Sequence, residues 1–275
     1  MELSKRDMTS KEANFDVRIV GLKTENQTNL IRKGVVRDIT DKDGKTREEV
    51  IGIVTPKYNL VLNKDAQNVF DESIRSSFVA KDVDKMIIKT HIPKNGARLY
   101  KSYTFTSGTL GVELGRADKV YPTITLLNSY DQSKPFGFTI GSYRVACENG
   151  LVVGVKDYMY SVKHFKDTTP DSITPKFNEA LEKYFSATEI WKKWSDVKYT
   201  EKQANEYLEL FPVVSKKIKE LVVEQFKKEE QTKWMFFNAI TNVISHQLRV
   251  RNMANIIIAQ ERLMAMAKGV YNIAA

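Results

Sequence analysis

The chain has 275 residues, 42% apolar and 28% charged, which excludes a disordered or fibrous protein and allows one large or two modest domains. One cysteine and three histidines exclude an intramolecular disulfide framework and a Cys/His zinc module, and fit a reducing cytoplasm. Lysine and arginine total 43 against 34 acids, a formal charge of +9 that favours polyanionic partners, nucleic acid before an acidic membrane surface.

That excess is spread evenly: residues 1–154 hold 24 basic and 19 acidic side chains, and residues 155–275 hold 19 and 15. Folding must therefore concentrate it before it acts as a binding face. The start, MELSKRDMTSKEANF, lacks the apolar core of a secretory signal and reads as a flexible lead-in over residues 1–15. No apolar run approaches the ~18–20 residues that cross a bilayer.

In chain order, FDVRIVGL reads as a strand, and IRKGVVRDIT with DKDGKTREEVIGIV reads as a hairpin around Asp43-Gly44. Thr55-Pro56 breaks the strand, and Asn63 is placed to cap a helix that carries Ala66, Val69, Phe70 and Ile74 at helical spacing. MIIKTHI and ARLYKSYTF flank a second hairpin signal, Asn95-Gly96. VYPTITLL is a strand whose Pro122 argues for an edge or a strand start. After the loop NSYDQSKP, FGFTIGSYRVAC turns back at Asn149-Gly150 into LVVGV, and DYMYSVKHF continues the meander.

From there the pattern turns helical. Thr174-Pro175 is a helix start, Thr188 opens a short helix presenting Ile190, Trp191 and Trp194, and Thr200 with Gln203 forms a capping box. Neither glycine nor proline occurs from Val213 to Lys268, so long helices are expected, with WMFFNAITNVI buried at their centre. The fold class is α+β: an N-terminal antiparallel β-meander with one or two helices over residues 16–168, then an all-helical part over 169–275 packed on or beside it.

Motifs for chemistry are sparse. There is no Walker-type loop and no GxGxxG, so no familiar route to ATP hydrolysis. Cys147 with Asn149 and His164 could form a nucleophilic arrangement, but a lone apolar-flanked cysteine reads first as core. Asp82 with Asp84, or Asp131 with Glu148, could hold a divalent metal for phosphodiester chemistry, yet no flanking pattern completes such a motif. No catalytic residue, metal site or cofactor is therefore assigned.

Basic and aromatic residues interleave on three strands. Arg98, Tyr100, Lys101 and Tyr103 share one; Lys134, Phe136, Phe138, Tyr143 and Arg144 lie on or beside another; Tyr158, Tyr160, Lys163, His164 and Lys166 mark the third. Cations tracking phosphates and aromatic faces stacking on bases are what single-stranded nucleic acid requires. The buried face of a half-covered sheet produces the same alternation. Arg98 and Tyr100 have one parity and Lys101 and Tyr103 the other, so only one pair can face a groove. Arg144, in an otherwise apolar strand, needs a carboxylate, for which Asp131 and Glu148 are at hand, or a phosphate. In the helical part, Arg249 and Arg251 beside a nearly uncharged helix are further candidates for phosphate. The Met-rich end, with Met253, Met264 and Met266, could pack on a partner chain.

Several blocks together resemble a family of phage/plasmid-like proteins, a domain-of-unknown-function family of mobile elements. They are TPKYNLVLNKDAQNVF, LLNSYDQSKPFGFTIGSYRVACENGL, His164 after a short strand, and TKWMFFNAITNVISHQLRVR, spanning roughly residues 50–255. The most specific pieces are Asn128-Ser129-Tyr130-Asp131, the run from Arg144 to Gly150, and Trp234 with Asn238-Ala239 and Thr241; His246 also matches. The resemblance implies a role in nucleic-acid replication, recombination or repair in the cytoplasm of a bacterial host. The layout of a meander followed by helices is similar, as a fold-level analogy, to single-strand annealing proteins of the lambda Red beta type.

The expectation is a non-enzymatic protein that binds single-stranded DNA. Backbone contacts fall to Arg98, Lys101, Lys134, Arg144 and Lys163, stacking to Tyr103 and Tyr143, and oligomerisation to the helical half, with no membrane contact. The alternatives are a structural or host-interaction protein whose helical half docks a protein partner, and a metal-dependent enzyme acting on nucleic acid.

Overall fold

The structure, a computed structural model, describes residues 14–243 apart from 93–94, 108–109, 115–117, 145–148, 152–158, 165–167 and 213. Strands β1 (Arg18–Lys23), β2 (Asn29–Thr40) and β3 (Thr46–Val54) form an antiparallel sheet in the order β1-β2-β3. The hairpin between β2 and β3 closes at Gly44, whose φ of 76° is the left-handed conformation that a side chain disfavours. Its inner face supplies Val35, Ile51 and Val54 to a core completed by Tyr58, Ala97 and Tyr130, with Phe15 and Ile19 packed against it.

A second antiparallel sheet has the order β10-β8-β7-β5-β4, with β6 added on β7 and β9 on β8. Its strands are β4 (Met86–His91), β5 (Arg98–Phe105), β6 (Val112–Leu114), β7 (Asp118–Ser129), β8 (Phe136–Arg144), β9 (Asn149–Leu151) and β10 (Met159–Val162). The expected single meander is thus two sheets. Between them in sequence Pro56 ends the strand pattern and α1 (Asn63–Ser77) intervenes. β3 approaches Tyr130 by close backbone contact, not by a strand ladder: a Cβ on Gly52 would lie 2.0 Å from the Tyr130 carbonyl oxygen.

Pro122 lies inside β7, neither at an edge nor at a start. It falls where β7 changes partners, in the gap between the pairing with β5, which ends at Thr123, and the pairing with β6, which begins at Val120, so neither of those two ladders needs its missing N–H. Asn63 is the first residue of α1 rather than its cap; Leu62 holds the cap position, and no side chain caps the helix there.

The described residues fall into two compact units, one drawn from those within 14–110, 123–140 and 159–181, the other from those within 111–122, 141–151 and 182–243. In the first, Phe70 of α1 meets Tyr103, Phe138 and Phe177 at ring-centroid distances of 5.4–5.8 Å. A one-turn helix, α2 (Ala80–Val83), precedes β4. In the second, Trp191, Trp234 and Phe237 stack in sequence, and Phe236 is ringed by Tyr199, Tyr207 and Phe226.

The C-terminal helices are α3 (Ile173–Asp196), α4 (Glu201–Glu209), α5 (Lys216–Lys227) and α6 (Lys233–Asn242). A 3-10 turn at Pro170–Ser172 leads into α3, which continues unbroken through Thr188 instead of restarting there; the buried Thr188 hydroxyl donates to the Phe185 carbonyl within the same helix. The Thr200–Gln203 capping box opens α4 as expected, and Trp234 to Thr241 of α6 are all buried. Among the described residues no helix is long and apolar enough to cross a membrane.

Candidate functional site

The loop after β7 is built from inside outward. Asn128 is fully buried, and its Nδ2 donates to the Val61 carbonyl at 2.9 Å and to Asn63 Oδ1 at 2.8 Å. The Asn63 amide in turn donates to the Tyr130 hydroxyl at 2.8 Å, and the Tyr58 hydroxyl donates to the Ser129 carbonyl at 2.6 Å. Asn63 is therefore a junction that locks the start of α1 to the end of β7. Burial pushes the Tyr58 and Tyr130 hydroxyls well above the usual tyrosine range, so both stay protonated as hydrogen-bonding groups.

From that anchor the chain reverses. Asp131 accepts from the Ser133 amide at 3.0 Å and from the Ser133 hydroxyl, an Asx turn that carries Gln132 at a φ of 59°. Arg98 reaches the same carboxylate at 3.2 Å through both Nε and Nη2. Burial alone would raise the Asp131 carboxyl, but the Ser133 and Arg98 contacts outweigh it and hold the group below the usual carboxylate range. Ser129 Oγ donates to the Lys134 carbonyl at 2.7 Å and accepts from the Lys134 amide at 3.2 Å. The result fixes the backbone of Lys134 and leaves its side chain exposed.

The facing wall comes from β10. Ser161 pairs with Gly137 and Val162 with Phe136. Glycine is required at 137 because a Cβ there would stand 2.0 Å from the Tyr160 carbonyl oxygen. Lys163 and His164 come directly after the strand. The Thr168 hydroxyl donates to the Lys163 carbonyl at 2.8 Å, and Asn59 Nδ2 donates to the Thr168 carbonyl at 2.6 Å.

His164 is 5% exposed, stacked on Tyr58 at 4.8 Å with its ring 28° from parallel. Its carbonyl accepts from the Asn59 amide at 3.0 Å, and its Nδ1 lies 3.2 Å from the Asn59 carbonyl. A carbonyl only accepts, so Nδ1 carries the proton and Nε2 is a bare acceptor. Among the described residues no group donates to that buried Nε2. Burial lowers the imidazole to about 4, against a smaller opposing effect from Asn59, so the ring is neutral at pH 7.

Gln132, Lys134, Pro135, Ser161, Lys163 and His164 line a pocket of about 440 Å³, within the range of small-ligand sites. Among the described residues its lining holds two lysines and no carboxylate. Neither lysine has an ion-pair partner among the described residues, in contrast to Arg98 and Lys101.

Lys134 and Lys163, assigned to different strands by sequence, are thus brought together. Other expected contacts are not. Lys101 is 4% exposed and Tyr103 0%, because β5 turns Leu99, Lys101, Tyr103 and Phe105 inward. The Lys101 ammonium sits 3.0 Å from both Asp71 oxygens and the Tyr103 hydroxyl donates to the same carboxylate, so neither faces a groove. Arg98 is committed to Asp131, so that carboxylate has its cation without Arg144. Tyr143 and Arg144 lie on β8 opposite Gly150 and Asn149, but their side chains, like Asn149's, are outside the described part. Tyr158, Lys166, Cys147, Glu148, His246, Arg249, Arg251, Met253, Met264 and Met266 are outside the described residues.

Asp82 is buried and accepts from the Ser107 hydroxyl. Among the described residues no group of three or more metal-ligating side chains converges. Gln132 and Ser161 carry no signal in the sequence that marks them for the site. The Asn128–Asp131 run carried the usable one, since Ser129 and Asp131 have the spacing that folds a side-chain-bonded turn and aims Lys134 beyond it.

Residues 50–265 match the model of a family described as Domain of unknown function (DUF932). No curated protein matches the chain, and no solved structure does.

Proposed function

Because the chain belongs to the DUF932 family of domains of unknown function, which brings no activity with it, we propose its role from its own side chains: it binds single-stranded nucleic acid, with DNA as the favoured form, holding phosphates on Lys134 and Lys163. The observation that carries this reading is the meeting of two lysines at one pocket, neither with an ion-pair partner among the described residues. A strand whose bases are unpaired can place a base edge toward the pocket while its phosphates meet the ammonium groups; a duplex keeps those edges paired. The protein is a binder in this reading, not a catalyst, and the setting we infer is phage or plasmid recombination or replication.

The test is fluorescence anisotropy with labelled single-stranded and duplex oligonucleotides between about 50 and 200 mM salt. Preference for the single strand, with affinity falling steeply as salt rises, is expected. Lys134→Ala and Lys163→Ala should each lower the slope of log affinity against log salt by about 0.7, the value for one lost phosphate contact on a single strand. A flat salt response, or equal binding of duplex, would overturn the proposal.

A further inference from the structure

We infer that the outer face of the sheet β1-β2-β3 binds a second copy of this chain, forming a weak two-fold dimer with the strand directions of the two copies opposed. The inference stands apart from the nucleic-acid reading and is tested without it.

The strand ladders sort the two faces. Val35 pairs with Gly52 on the inner face, where Val35 joins the core and Gly52 meets the Tyr130 backbone. Gly34 pairs with Val20 and Ile53, and a Cβ on it would meet the Leu22 and Val20 side chains, so Val20, Leu22 and Ile53 share the outer face. Val36 follows, paired with Arg18 and Val50, and Arg18 binds Asp38 and Glu48 on that same face. Alternation along β2 adds Arg32 at the opposite end. The solvated face of an antiparallel sheet is ordinarily polar. This one presents Val50 and Ile53, each about half exposed, with exposed Leu30 and Ile31 beside Arg32.

The charges indicate what covers it. One end holds Asp38 and Glu48 against the single Arg18, an acidic excess; the other holds Arg32, which has no ion-pair partner among the described residues. Asp38 and Glu48 disfavour a nucleic acid or an anionic lipid surface. The face is complementary to itself instead. Arg32 and Asp38 lie three residues either side of Val35. Turning a second copy over about an axis across the strands therefore sets each Arg32 by the other copy's Asp38, and each Ile53 by the other copy's Val50. Three strands about 4.8 Å apart and roughly 30 Å long offer an area at the low end of specific interfaces, which is why the dimer is weak.

Sedimentation velocity of the full chain from about 1 to 200 μM is the test. Passage from monomer to dimer with rising concentration is expected. Ile53→Lys, at an exposed position, should keep the far-ultraviolet spectrum and stay monomeric throughout. Arg32→Asp and Asp38→Arg should each weaken the dimer about tenfold, because each sets like charges together at two symmetry-related contacts. Mixed in equal amounts, the two variants should dimerise as the unaltered chain does, since every contact then joins opposite charges. An unaltered chain that stays monomeric, as it would if another segment of this chain or a different partner covers the face, overturns the inference. So does an oligomer that survives Ile53→Lys, or a mixture that gains nothing over the single variants.

Discussion

Lys101 and Lys134 bear the same charge in the same unit, yet one faces Asp71 in the interior and the other faces solvent beside a pocket. Backbone parity decides this, since β5 gives its odd positions to the core. Asp71→Ala would strand a buried ammonium and the Tyr103 hydroxyl together, and should cost about 2–3 kcal/mol in chemical denaturation, below the usual range for broken buried pairs because Asp71 is partly exposed. Lys101→Met removes the charge along with its need for a partner and should cost less. It should leave the salt slope of oligonucleotide binding unchanged, whereas Lys134→Ala should not. His164 makes a separate prediction. Its imidazole sits near 4 when folded and at an ordinary value near 6.5 when unfolded, so the unfolded chain binds the extra proton. Stability should therefore be full above pH 6.5 and fall by about 3 kcal/mol as pH drops toward 4. Denaturant titrations across that window should show the loss, and His164→Gln should flatten it.

Among the elements, β10 matters most to the site although it is four residues long. It rests on β8 through Gly137, and its register sets the positions of the two lining residues Ser161 and Lys163. Gly137→Ala would force a Cβ into the Tyr160 carbonyl; a loss of about 2–4 kcal/mol and of oligonucleotide binding is expected, read by thermal unfolding and anisotropy. By contrast Thr200→Ala strikes only the α4 capping box, and should cost about 1 kcal/mol with binding intact. Local signals of this kind were plain in the sequence: Asp43-Gly44, Asn95-Gly96, the Thr200–Gln203 box and the apolar run of α6 each encode their structure within a few residues. Thr188 misled because threonine followed by glutamate looks like a helix start, and only tertiary burial lets the hydroxyl bond back into α3. Asn63 misled likewise, since its partners Asn128 and Tyr130 lie more than sixty residues away.

For the whole molecule, the number of sheets and the composition of the site were not legible, for one physical reason. Both depend on which distant segments meet, and charge or alternation along a strand does not specify that. Lys134 and Lys163 were visible as cations but not as neighbours, while Lys101 and Tyr103 showed the same pattern from the inner face. The even spread of positive charge along the sequence leaves the pocket lysines to be distinguished by the absence of an ion-pair partner among the described residues, not by density of charge.

The double tie between Asn59 and His164 joins backbone 105 residues apart. Such a closure carries an entropic cost, and is expected to follow the placing of the intervening α1, β4, β5, β7 and β8. The expectation is that the pocket is among the last features to be assembled when the chain folds, and that it reports on completion of the unit in a way that helix content does not. In a refolding experiment started from denaturant, far-ultraviolet ellipticity should recover ahead of oligonucleotide binding. A chain halted with β10 undocked would have most of its secondary structure and no site, so premature intermediates would not compete for the strand.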